Sequence, residues 1–143
     1  MNRKGFTLIE LLVVIAIIGI LAAMVLVGLS GARAKSRDAR RKSDLRAIKT
    51  ELELYYSDQK PEAYVTAATA VTIDGTTDAL SAALVSGGYM KTVPVDPRNT
   101  GNYVYKYQSL NSAADYKLTA TLENAKDPEG NASAAGGYVV TND

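Results

Sequence analysis

Residues Leu11 to Leu29 form an unbroken run of 19 residues without a charge, and no other feature limits the chain as much. As an α-helix this run extends about 28 Å, close to the hydrocarbon thickness of a bilayer. It is therefore a membrane-spanning candidate. Only Met1, Asn2, Arg3, Lys4 and Gly5, then Phe6-Thr7-Leu8-Ile9-Glu10, stand ahead of it. Glu10 sits at its leading edge, where a bilayer strongly disfavours an acid without a partner. Such a group is either an interfacial side chain that reaches the headgroups or a functional residue.

Two plain readings of this N-terminus compete. Ala32-Arg33-Ala34 has the small-x-small form of a secretory cleavage site, but the apolar run exceeds the roughly 7–15 residues usual in a signal peptide and has an acid ahead of it. A simple signal anchor accommodates the length and leaves Glu10 unexplained. Charge counting also places more bases behind the span (Arg33, Lys35, Arg37, Arg40, Arg41, Lys42) than ahead of it, which by itself keeps the following domain cytoplasmic.

A short basic leader ending in Gly5, followed by Phe6-Thr7-Leu8-Ile9-Glu10 and a hydrophobic helix, resembles the class III signal of type IV pilins and type II secretion pseudopilins. The resemblance overrides the charge count, because it requires the leader inside. It implies cleavage by a prepilin peptidase between Gly5 and Phe6, and methylation of the new Phe6 amine. It also implies that pilus assembly machinery builds a homo-oligomeric helical filament, in which the Glu10 carboxylate meets the Phe6 ammonium of a neighbouring subunit. The subunit would sit in the cytoplasmic membrane before assembly, and in an extracellular or periplasmic filament afterwards. The implied fold is the α+β pilin fold: a long N-terminal α-helix, membrane-spanning in its first half, packed on a small antiparallel β-sheet. On this reading residues 1–5 are the leader, 6–30 the transmembrane or filament-core helix, 31–56 its amphipathic continuation, and 57–143 a globular head with a short helix and the sheet.

Composition narrows function further. The chain has no His and no Cys, which removes the commonest catalytic base and metal ligand and any disulfide framework. No spacing of Asp, Glu, Lys or Tyr suggests catalysis, so the chain reads as a structural subunit and not an enzyme. Many type IV pilins close a C-terminal loop with a disulfide; this chain must hold its end otherwise. The net charge is +1 but uneven: Arg33 to Lys49 has eight bases and two acids, and Thr50 to Asp143 has six bases and twelve acids. A basic neck thus stands under an acidic head. That split suggests that the neck of one subunit meets the acidic heads of others; DNA capture by the neck, as in a competence-type pilin, is the weaker reading.

Nothing between Ala32 and Tyr56 breaks a helix, so the apolar helix is expected to continue to about residue 56. Leu45, Ile48, Leu52 and Tyr55 recur at helical spacing and make an apolar face for the head to pack on. Asp38 to Lys42 is a favourable i,i+4 pair, whereas Arg33–Arg37 and Arg37–Arg41 are like-charged ones. Gly19, Gly28 and Gly31 are weak points of the helix. Beyond Pro61, Tyr64 to Ile73 is ambiguous between strand and loop. Thr77 or Asp78 is placed to cap a short helix, Ala79 to Val85, with Leu80, Leu84 and Val85 inward and Gly87-Gly88 as its end. The stretch from Tyr89 through Val93-Pro94-Val95-Asp96-Pro97 resembles a segment of the major pseudopilins.

A strand is expected over Asn102 to Gln108, with Tyr103, Tyr105 and Tyr107 on one face. A second follows with Tyr116, Leu118, Ala120 and Leu122 on one face, and a third over Gly137 to Thr141. A tyrosine row at this spacing is either core or a stacking platform for nucleic acid or glycan, and core packing is favoured. Secretion pseudopilins can bind calcium near the C-terminus, which makes Asp127, Glu129 and Asn131 candidate oxygen ligands, with a solvated turn as the default. The function expected is that of a structural subunit of a type IV pilus or pilus-like filament. The alternatives are a major pseudopilin of a type II secretion system and a DNA-binding pilin.

Overall fold

The computed structural model describes residues 5–130 and 137–142. The chain divides into two units, Met1–Lys35 and Ser36–Asp143, and helix α1, Leu8–Asp58, has residues in both. In the first unit every described side chain up to Arg33 is exposed. Among the described residues α1 is the one helix long and apolar enough to cross a membrane. It is unbroken at Gly19, Gly28 and Gly31.

The second unit contains the rest of α1, β1 (Val71–Thr72), α2 (Ala79–Ser86), β2 (Lys106–Leu110), β3 (Asp115–Thr121) and β4 (Gly137–Thr141). The strands form one antiparallel sheet in the order β1-β2-β3-β4. Tyr107 pairs with Leu118, Ser109 with Tyr116, Leu118 with Val140 and Ala120 with Tyr138. Strand alternation therefore sends Tyr107, Tyr116, Leu118, Ala120 and Tyr138 to one face, and all are buried. Leu45, Ile48 and Leu52 of α1 are fully buried in the same core. Each such side chain contributes about 1.5–3 kcal/mol when taken from water. This is the α+β arrangement expected, a long apolar-led helix on a small antiparallel sheet.

Several local expectations shift. Tyr103 lies in a turn, bridged to Thr100, with Gly101 at φ +57°, so β2 begins only at Lys106. The Tyr103 ring instead receives the guanidinium groups of Arg98 and Arg41, at 4.3 and 5.0 Å, within cation–π range. Tyr105 and Tyr107 are both fully buried, their hydroxyls donating to Asp44 at 2.9 Å and to the Val65 carbonyl at 2.6 Å. Buried rings offer no stacking platform. Between Tyr64 and Ile73 only Val71–Thr72 pairs as strand.

Helix α2 is capped by Asp78, which accepts from the Ser81 N–H at 3.0 Å, and reaches Ser86. Leu80 and Leu84 face the core as expected, but Val85 is 38 % exposed and Ser81 is buried. One residue of helix turns a side chain by about 100°, so Val85 leaves the face that Leu80, Ser81 and Leu84 share. Ahead of the cap, Gly75 has φ +84°, and a Cβ there would lie 2.9 Å from the Val93 carbonyl oxygen; only glycine takes that turn without strain.

What joins α1 to the loops of the head is a buried ion cluster. Arg41 is 0 % exposed. Its Nε and Nη2 donate to the two oxygens of Asp96, at 2.7 and 3.0 Å. Its Nη1 donates to Asp38 at 2.7 Å and to Glu123 at 2.9 Å. Arg37 donates to both oxygens of Glu123 at 2.6 Å. The oxygens left over are used as well: Asp38 accepts the N–H groups of Glu123 and Asn124, both at 2.9 Å, and Asp96 accepts that of Arg98 at 2.8 Å.

Burial opposes the charge of Arg41, but the hydrogen bonds it donates to Asp96, Glu123 and Asp38 outweigh it and raise its pKa. Burial likewise works against the Asp96 carboxylate, yet Arg41 and the following N–H groups hold it below the ordinary range. The Arg37 hydrogen bond, opposed by desolvation and aided by Arg41, brings Glu123 down to about 2. The expected Asp38–Lys42 pair is not made. Asp38 turns to Arg41, because a fully buried guanidinium needs its acceptors, and Lys42 takes Asp127 and Glu129 instead.

Replacing Arg41 with Met would leave three carboxylates facing one another. The expected loss is about 3–5 kcal/mol of unfolding free energy, read by chemical denaturation of the full chain in detergent, with Arg41→Lys intermediate because it loses the bidentate contact. The pH dependence follows in sign from Glu123, whose pKa falls from 4.5 to about 2 on folding. Its contribution is fully present above about pH 4.5 and is lost as pH falls toward 2. The melting temperature of the head should therefore decline over that window, and Glu123→Gln should flatten the decline.

Candidate functional site

The N-terminal segment carries the residues singled out for processing and assembly. Gly5 and Phe6 are exposed, Phe6 at 85 %; Met1 to Lys4 lie outside the described residues. Thr7 precedes α1, and its N–H and Oγ1 donate to Glu10 Oε2 at 2.9 and 2.7 Å. The Glu10 N–H donates back to Thr7 Oγ1 at 3.2 Å. This reciprocal pair is a capping box, which meets the unpaired N–H groups of a first helical turn and favours an acid there.

Glu10 therefore has a partner within its own chain, which the reading of it as a lone acid overlooked. The Thr7-x-x-Glu10 spacing ahead of an apolar run was the available signal. Both bonds from Thr7 fall on Oε2, and among the described residues Oε1 accepts none. Phe6 and Glu10 are four residues apart, and within one chain no hydrogen bond or ion pair between them is seen among the described residues.

In the second unit the basic neck is largely neutralised by acids of the same chain. Besides the Arg37 and Arg41 contacts, Lys42 Nζ lies 2.6 Å from Asp127 and 3.1 Å from Glu129. Arg46 reaches Glu129 at 3.2 Å, Arg40 lies 3.7 Å from Asp44, and Lys49 donates to the Thr141 carbonyl at 2.7 Å. The expectation that this neck waits for the acidic heads of other subunits is corrected to that extent: Arg37, Arg40, Arg41, Lys42 and Arg46 meet counter-charges within the chain, which also eases the like-charge contact between Arg37 and Arg41. Arg37 and Arg41 share Glu123 between them.

The candidate calcium ligands are placed as follows. Asp127 and Glu129 come together, and both face the Lys42 ammonium; Asn131 lies outside the described residues. Among the described residues no group of three or more acidic, His or Cys side chains is arranged to hold a metal. The Lys42 hydrogen bond and the Glu129 N–H lower the pKa of Asp127, and Asp127 raises that of Lys42. As they stand, the two carboxylates hold the Lys42 ammonium between them.

Comparison with known proteins agrees with the geometry. Residues 1–26 match the model of the prokaryotic N-terminal methylation motif. The chain is 33 % identical over 97 residues to the type II secretion system core protein G of Escherichia coli, covering 67 % of each chain. It is 36 % identical over 101 residues to the protein of the same name from Aeromonas hydrophila, covering 67 % of this chain and 68 % of that one. With the type IV major fimbrial protein FimA of Dichelobacter nodosus it shares 32 % identity over 131 residues, 87 % of this chain and 84 % of that one. No solved structure matches it. A methylation motif that runs into an exposed apolar helix, a small antiparallel sheet on the later turns of that helix, and relatives alike over most of their length together show that the chain belongs to the type IV pilin and type II secretion pseudopilin family.

Proposed function

We propose that this chain is a structural subunit of a type IV pilus or pilus-like filament, assembling through its N-terminal helix and having no catalysis of its own. The observation that carries this reading is the methylation motif over residues 1–26 leading into α1, whose apolar side chains from Leu8 to Leu29 are exposed in the single chain. So large an apolar surface must be covered, first by lipid and then by the helices of other subunits.

In this mechanism a prepilin peptidase cuts between Gly5 and Phe6 and methylates the Phe6 amine while the helix spans the cytoplasmic membrane. Thr7 holds the Glu10 carboxylate through the capping box, which lowers the cost of an acid at the apolar edge. On assembly into an extracellular or periplasmic filament, Glu10 meets the Phe6 ammonium of a neighbour, and this pair sets subunit register. Relatives on both sides, a fimbrial protein and secretion core proteins, are compatible with a surface pilus and with a secretion pseudopilus. DNA capture by the neck has less support, because Arg37, Arg41, Lys42 and Arg46 are engaged by acids of the same chain.

The intact mass of protein isolated from its native cell surface tests the processing. A chain beginning at Phe6 with one added methyl is expected; a start at Met1 or after Ala34 would end the reading. Assembly is tested separately with Glu10→Val, for which the head should stay folded while filament yield falls at least about tenfold, as expected for an ion pair desolvated on both sides. Wild-type yield from that variant would remove Glu10 from the mechanism.

A further inference from the structure

Without a cysteine, the segment between β3 and β4 has to be fastened to the head by other means. Three residues of α1 spaced four apart, Asp38, Lys42 and Arg46, lie on one face of the helix. All three engage that segment. Asp38 accepts the N–H groups of Glu123 and Asn124, Lys42 contacts Asp127 and Glu129, and Arg46 contacts Glu129.

Lys42 is the inner member of the two cations. Its side chain is 17 % exposed, and its Nζ lies 5.9 Å from the centroid of the Tyr138 ring on β4. Asp127 Oδ1, which takes the Lys42 bond at 2.6 Å, also accepts the Glu129 N–H at 3.0 Å. The Asp127 carbonyl accepts the Gly130 N–H at 2.9 Å. One ammonium thus holds both carboxylates at the turn of residues 127–130.

We propose that Lys42 is the fixed cation of this loop, occupying with its ammonium the place that a calcium ion would take between Asp127 and Glu129, so that the head closes without a divalent metal. The charges of Lys42 and Arg46 balance those of Asp127 and Glu129. A calcium ion added to this set would bring two uncompensated positive charges close to an ammonium. It also requires six to eight oxygens at about 2.3–2.6 Å, and the oxygens that Asp127 and Glu129 turn toward Lys42 are already bonded. Calcium enters only if Lys42 leaves both carboxylates and the Tyr138 ring.

The inference stands whichever filament the subunit builds, and its test does not depend on assembly. The full chain in detergent micelles is titrated with calcium chloride by calorimetry, and its melting temperature is compared in excess chelator and in millimolar calcium. No binding heat and an unchanged melting temperature are expected. A metal site at about a hundredfold its Kd would raise the melting temperature by several degrees, and that result would overturn the proposal. Lys42→Ala is then compared with wild type by hydrogen exchange in chelator. The amides of Glu129 and Gly130 should exchange about tenfold faster or more while those of β2 and β3 hold their rates, as for local opening of one segment. Unchanged exchange at Glu129 and Gly130 would show that Lys42 does not fasten the loop. If Lys42→Ala fails to fold, Lys42→Gln, which keeps the length of the stem without the charge, is read by the same exchange: faster rates at Glu129 and Gly130 are expected, and wild-type rates there would overturn the proposal.

Discussion

A guanidinium with no exposure to solvent, in contact with three carboxylates from three parts of the chain, is the constraint on which the head depends. Taking Arg41 and its partners out of water is costly, and the cost is offset only when the remaining donors and acceptors are met. Here they are, by Arg37 on Glu123 and by backbone N–H groups on Asp38 and Asp96. The acids come from the helix itself, from the loop ahead of β2, and from the segment after β3. No single element can move without leaving one of them unpaired. The cluster thus gives the small core of Leu45, Ile48, Leu52 and the tyrosines a defined arrangement that apolar burial, which has no direction, does not specify by itself.

The same cluster changes how the basic neck is understood. Counted along the chain, the neck is a strip of positive charge suited to a polyanion or to other subunits. Folded, it is the inner side of a set of ion pairs that stitch α1 to its own head. What the filament reading needs from outside the chain is then concentrated in the apolar stretch from Leu8 to Leu29 and in Glu10, whose carboxylate the Thr7 cap holds in place. Closure of the C-terminal segment belongs to the same scheme. Lys42 and Arg46 take Asp127 and Glu129, Lys49 takes the Thr141 carbonyl, and Asn142 donates to Asp115 at 2.9 Å. These contacts tie the described part of that segment to the rest of the head in a chain without cysteine.

Much of the architecture was legible in the residues. The apolar run and the absence of breakers beyond it specified α1, and the spacing of Leu45, Ile48 and Leu52 identified its buried face. Alternation in Tyr116, Leu118, Ala120 and Leu122 marked β3, because a half-buried strand imposes a period of two. Glycine and an aspartate bounded α2 for equally local reasons. The misreadings share a different cause. Tyr103 fits the alternation but lies in a turn under two arginines, and Val85 is apolar but one position off the buried face. Pattern reports residue type, whereas turn geometry and helix phase decide where that residue points.

The sequence by itself determined where the membrane-length helix lies, which of its later residues meet the sheet, and the motif that places the chain among pilins and pseudopilins, because each rests on short-range periodicity or contiguous residues. Only the tertiary structure decided the partners of the charges. Arg41 and Asp96 are 55 positions apart, Arg37 and Glu123 86, and Lys42 and Asp127 85. Ion pairing leaves no period in a sequence. Every basic residue of the neck carries the same charge, and only the folded packing selects the one that is buried, the one that fastens the loop and the ones that remain in water.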